Sequence, residues 1–180
     1  MTIAVLSGPH SRGGNLAALL RAGLPVAALV TPSLDSPATR VARDLGVEVR
    51  LAEYGESHAQ ALEEALQGVD AIALSGYLRP FPAELLPQWP NRVFNIHPSL
   101  LPKFGGQGMY GRYVHRAVLQ AGEKESGCTV HLVAERYDEG AILAQARCPV
   151  LADDTVETLA ARVQALEHVL YPRVLLERLG

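Results

Sequence analysis

At 180 residues, 48% hydrophobic and 19% charged, the chain has the make-up of one globular domain that buries roughly 70% of the surface its unfolded form exposes. A formal net charge of −3 without any Lys/Arg run argues against a nucleic-acid partner, and no apolar stretch approaches the ~20 residues that span a bilayer. The chain enters its first apolar run at Thr2-Ile3-Ala4 without a basic, apolar leader, so a cytoplasmic location is expected.

Residues 3–6 read as an apolar strand ending at Ser7-Gly8, and residues 15–22 as a helix closed by Gly23. A strand at 26–30, a helix at 37–45, a strand at 47–51, a helix at 57–67 and strands at 71–74 and 93–96 follow. Strands alternating with helices of this length predict right-handed crossovers and a doubly wound α/β fold with a mostly parallel sheet. The strands are continuous apolar runs, as expected where helices cover both faces. After residue 110 the pattern changes: a helix at 111–120, then strands at 128–133 and 142–150 joined by a short turn, which predicts an antiparallel pair. A long terminal helix at 155–179 is apolar at Leu159, Val163, Leu166 and Leu170, with Pro172 as the expected kink. No linker or repeat interrupts the chain, so a single domain over 1–180 is expected.

Cys128 and Cys148 lie in apolar strand-like runs and read as buried free thiols. No Cys-x-x-Cys or His-x-x-x-His spacing occurs, so no metal site is expected.

The stretch Phe94-Asn95-Ile96-His97-Pro98 carries the most chemistry. Side chains at i and i+2 of a strand share a face, so Asn95 and His97 project together from a strand end into the space behind a Pro-rich loop. An amide beside an imidazole suits a carbonyl that becomes an oxyanion under nucleophilic attack. The loop from Ser7 to Asn15 contains Gly8, Gly13 and Gly14 and opens a helix, which fits either a phosphate site or a tight turn. It lacks the Gly-x-Gly-x-x-Gly dinucleotide spacing. His131 is either an inward partner of the catalytic pair or a core histidine. Asp138, in a Tyr-Asp-Glu-Gly turn, is a solvated turn residue unless it faces His97. Gln164 and Glu167, three apart on the last helix, share a face.

Asn95-Ile96-His97-Pro98-Ser99-Leu100-Leu101-Pro102 resembles the signature of the formyltransferases that use 10-formyltetrahydrofolate. Val130-His131, Tyr137-Asp138-Glu139-Gly140 ahead of an Ile-Leu-Ala-Gln strand, and the run from Arg162 to His168 resemble the phosphoribosylglycinamide formyltransferases in particular. Together with the first Gly-rich loop they cover the chain in order. The resemblance implies a Rossmann-like formyltransferase fold and transfer of a formyl group from the co-substrate 10-formyltetrahydrofolate to the amine of 5'-phosphoribosylglycinamide, in purine biosynthesis. Only small-molecule partners are implied, with a monomer or homodimer as the assembly.

By the same resemblance His97, protonated, and Asn95 stabilise the oxyanion, and Asp138 supports the imidazolium. Gly13, Gly14 and Asn15 bind the phosphate, while Gln164 and Glu167 face the glycinamide substrate, with Glu167 at its amine. Leu78, Arg79, Pro80 and Phe81, with Asn95 and the segment Ala134, Glu135, Arg136, Tyr137 and Asp138, line the folate slot. Three departures stand out. The usual Gly-Ser-Asn reads Gly13-Gly14-Asn15 in a loop about three residues longer. No Arg near Glu56-Ser57-His58 matches the one that often meets the folate's glutamate tail. The segment 103–111 is longer and Gly-rich, which suggests a mobile lid. The rivals are a formyltetrahydrofolate hydrolase, a methionyl-tRNA formyltransferase with an extra domain that this length does not accommodate, and a noncatalytic phosphate- or nucleotide-binding module.

Overall fold

Strand β1 (Ile3–Ser7) is buried along its whole length, and its alternation feeds two cores: Ile3 and Val5 face one side, Ala4 and Leu6 the other. A computed structural model describing residues 1–180 places β1 inside a seven-stranded sheet of order β3-β2-β1-β4-β5-β6-β7. The other strands are β2 (Val26–Thr31), β3 (Glu48–Leu51), β4 (Ala71–Ser75), β5 (Val93–His97), β6 (Glu125–Leu132) and β7 (Ile142–Pro149). The first five pair in parallel; β6 runs antiparallel to both β5 and β7. The larger core lies under helices α1 (Gly14–Arg21), α2 (Pro37–Asp44), α4 (Arg112–Gln120) and α5 (Val156–Leu179). The smaller core lies under α3 (His58–Ala65) and a 3-10 turn at Ala83–Gln88, where Leu62, Leu85 and Trp89 are buried.

This is the doubly wound architecture expected from the alternation of elements, including the antiparallel C-terminal pair. Both cysteines are buried and free. No helix is long and apolar enough to cross a membrane. Two local differences from the sequence reading have physical causes. The turn at Ala83–Gln88 has no helical apolar period and contains Pro87, so it left no signal. Strand β6 starts at Glu125, before its apolar run, because Glu125 and Gly127 pair with Pro149 and Arg147 of β7. Helix α5 runs through Pro172 as one element, as read from the sequence, with Tyr171 and Val174 buried beside it.

Two contacts fix α5. At its start, Arg162 forms a two-point bridge to Asp154, with Nη1 to Oδ2 at 2.6 Å and Nη2 to Oδ1 at 2.9 Å, and also donates to the Pro149 carbonyl of β7. Deeper in, the fully buried Tyr171 hydroxyl lies 3.0 Å from the Leu74 carbonyl and 3.1 Å from that of Phe94, and shares its proton across the seam between β4 and β5. Tyr171→Phe should keep the ring packing and lose this donor. The expected cost is about 1–2 kcal/mol in denaturant unfolding with an unchanged m-value; no loss of stability would mean that the hydroxyl does not clamp the seam.

Candidate active site

The strand order reverses between β1 and β4, and in such sheets ligands bind beyond the carboxyl ends of the strands at that point. The loops leaving these strands are tied together there. Gly8 N–H donates to the Gly76 carbonyl at 3.0 Å, and a Cβ at Gly8 would lie 2.5 Å from that oxygen. Beyond them opens a cavity of ≈ 840 Å³. It is lined by Gly13, Gly14 and Asn15, by Leu78, Arg79, Pro80 and Phe81, by Asn95 and His97, by Ala134 through Asp138, and by Gln164 and Glu167. Every residue singled out from the sequence therefore borders one space. His131 joins them, which decides between its two readings in favour of the inward one.

At the centre, the carboxylate of Asp138 sits between two imidazoles. Its Oδ2 is 3.4 Å from His97 Nδ1 and its Oδ1 is 3.4 Å from His131 Nε2, while Gly106 N–H donates to Oδ2 at 2.9 Å. Asp138 takes a left-handed conformation (φ 56), which Asp tolerates better than most residues. The turn closes at Gly140, where any Cβ would run into the Leu132 carbonyl. His97 Nε2 lies 2.8 Å from the Phe104 carbonyl. A carbonyl only accepts, so Nε2 carries the proton and Nδ1 is the nitrogen left for chemistry.

Burial pulls His97 below the ordinary imidazole range, and Asp138 and the Phe104 carbonyl push it partly back. The ring at rest therefore favours the neutral form more than a free imidazole does. Burial would raise Asp138; the Gly106 N–H opposes this, and the His131 and His97 rings oppose it whenever they carry a proton towards the carboxylate. The segment expected as a lid is anchored over its first part: Phe104 and Gly106 bond to His97 and Asp138, and Ser99 Oγ donates to the Lys103 carbonyl at 2.7 Å.

At one side of this centre, α1 begins at Gly13 (φ 77) with no capping side chain, which leaves its first amides free for an anion. Gly13 packs against α2, where a Cβ would sit 3.0 Å from Val41. Gly14 is filled from outside: His168 Nε2 lies 2.8 Å from where its Cβ would be. The Asn15 side chain turns from the loop to Glu167, donating from Nδ2 to Oε2 at 2.8 Å. Burial pushes the Glu167 carboxyl up to about 7, opposed by that hydrogen bond.

At the other side, Tyr137 OH donates to the Leu78 carbonyl at 3.2 Å, joining the two segments expected to hold the folate. The Arg79 guanidinium lies 4.1 Å from the centre of the Tyr54 ring. A cation thus stands near the region where α3 supplies none. Several cavity residues were given no role by the sequence reading. Arg12 lies in the loop read as a phosphate site, where only Gly13, Gly14 and Asn15 were assigned to the phosphate. His115 is buried on α4, and burial and the nearby His97 bring it down to about 4; its helical period looked like ordinary core packing.

The formyl transferase family model matches residues 15–175. A phosphoribosylglycinamide formyltransferase (chloroplastic) of Arabidopsis thaliana is 45% identical over 157 residues, covering 83% of this chain and 54% of that protein. The chain spans about half the length of the curated plant relatives it matches. Among solved structures, phosphoribosylglycinamide formyltransferase from Bacillus halodurans superposes with a TM-score of 0.90 at 29% identity, covering 100% of this chain and 96% of that one. Glycinamide ribonucleotide transformylase 1 from Symbiobacterium toebii gives 0.86 at 40% identity, over 97% and 85%. With the Asn95, His97 and Asp138 cluster at the strand ends and a family match running from α1 into α5, the chain belongs to the formyl transferase family.

Proposed function

We propose that the chain transfers the formyl group of 10-formyltetrahydrofolate to the amine of 5'-phosphoribosylglycinamide, a step of purine biosynthesis. The carrying observation is one cavity with Asn95, His97 and Asp138 at its centre, the uncapped α1 amides and Glu167 on one side, and the segments 78–81 and 134–138 on the other. A phosphorylated amine and a folate need opposite ends of such a space, with the formyl carbon between them. The relatives named phosphoribosylglycinamide formyltransferase support formyl transfer to that acceptor. Arg79, stacked on Tyr54, is the cation for the folate's carboxylate tail.

In this reading the amine attacks the formyl carbon, and the carbonyl electrons move to oxygen, where an Asn95 N–H stabilises the charge. Neutral His97 Nδ1 takes the proton from the attacking nitrogen, and Asp138 holds the resulting imidazolium. The proton then passes to N10 as the bond from carbon to N10 breaks, so the ring ends as it began. Transfer is direct: burial pushes the Cys128 thiol up to about 12, leaving no thiolate to act as nucleophile. A single chain carries every group used, so a monomer suffices. The two free buried cysteines support a reducing, cytoplasmic compartment.

The direct test is folate-dependent formation of formylglycinamide ribonucleotide by the purified protein. Release of formate with no need for an amine would mark a hydrolase instead. Asn95→Ala should lower kcat by about 10²–10³ if its amide donates to the oxyanion; a kcat near wild type would remove it from that role.

Asp138→Asn removes the charge that lifts His97, so the His97 ring should titrate at still lower pH in an NMR titration. Identical titration in both proteins would leave the ring without its partner. Glu167 needs its charge to hold an amine, and its carboxyl lies at about 7. The kcat/KM for phosphoribosylglycinamide should therefore fall as pH drops through this value, without a matching fall in folate binding. Glu167→Gln should abolish that limb; its survival would assign it elsewhere.

A further inference from the structure

We propose that His131 is a positioning residue for Asn95: the lone pair on its Nε2 holds one amide N–H, so that the other faces the formyl oxygen. The proposal rests on the formyl-transfer reading for the task of Asn95, and on geometry alone for the state of the ring. Asn95 and His131 are direct partners in the antiparallel register of β5 and β6, so their side chains stand on one face. His131 Nδ1 lies 2.7 Å from the Leu132 carbonyl. That oxygen only accepts, so Nδ1 carries a proton and a neutral ring must keep its lone pair on Nε2. Asn95 Nδ2 lies 3.0 Å from Nε2, closer than Asp138 Oδ1 at 3.4 Å. The ring is buried at 2% exposure, so neither orientation is left to solvent.

The alternative is a ring protonated at both nitrogens. It would turn the Asn95 carbonyl oxygen towards His131 and direct an Nε2–H at Asp138. That arrangement takes up the carboxylate His97 requires and puts a second cation beside His97 at the moment it charges. A neutral His131 avoids both and leaves Asp138 to one partner. His58 follows the same logic: Nδ1 bonds to the Glu53 carbonyl, and Nε2 is left to accept from the Tyr77 hydroxyl at 2.8 Å.

Nitrogen-15 NMR of histidine-labelled wild-type protein at the pH of the assay reads the ring directly. The expected result is a protonated Nδ1 and a bare Nε2 on His131. A proton on Nε2, with or without one on Nδ1, overturns the proposal whatever the formyl acceptor is. The kinetic arm uses His131→Phe, which keeps the ring and removes the lone pair. Its kcat should fall about 10- to 100-fold through misplacement of the Asn95 donor, with both KM values nearly unchanged. In an Asn95→Ala background the same change should have almost no further effect, whereas in an Asp138→Asn background its effect should persist. A full His131→Phe effect in the Asn95→Ala background overturns the coupling. Failure of the wild-type protein to transfer a formyl group would sink the reaction assignment and leave the ring measurement standing.

Discussion

The site depends on the reversal of strand direction at β5, which pairs in parallel with β4 and antiparallel with β6. An antiparallel neighbour places residues directly opposite one another, and its chain returns through a short connection. The first property sets His131 against Asn95; the second lets the turn between β6 and β7 bring Asp138 to His97. A β7 parallel to β6 would need a crossover connection in place of that turn. Gly140, Gly106 and the left-handed Asp138 then let the turn and the loop after β5 approach closely enough for the carboxylate to reach its partners.

Burial tunes the two ends of the cavity in opposite senses. It lowers His97, a base, and raises Glu167, an acid, because desolvation penalises whichever form is charged. Each has partners that work against the shift: Asp138 and the Phe104 carbonyl for His97, and the Asn15 amide for Glu167. Opposed shifts of this kind suit a site in which one group holds a substrate and another moves a proton.

Helix α5 keeps these ends in register. Gln164 and Glu167 face the cavity, and Tyr171, one turn on from Glu167, bonds to carbonyls of β4 and β5. The segment that presents the Glu167 carboxylate to the cavity is thus fixed to the strand that carries Asn95 and His97. Movement of the helix relative to β5 would break the Tyr171 contact.

Much of this was legible in the chain itself. Apolar runs interrupted by Gly-terminated helices determined the parallel sheet, because only strands buried on both faces lack polar alternation. The i, i+2 spacing placed Asn95 and His97 together, since strand geometry alone decides which side chains share a face. What the tertiary structure decided were relations between segments distant in sequence. The pairing of His131 with Asn95 follows from a strand register, and the protonated nitrogen of His97 from a backbone carbonyl seven residues on. The downward shift of His97 follows from how deeply the surrounding loops bury it. Local sequence encodes period, turn and cap, whereas hydrogen-bond direction and desolvation arise only when the packed partners are in place.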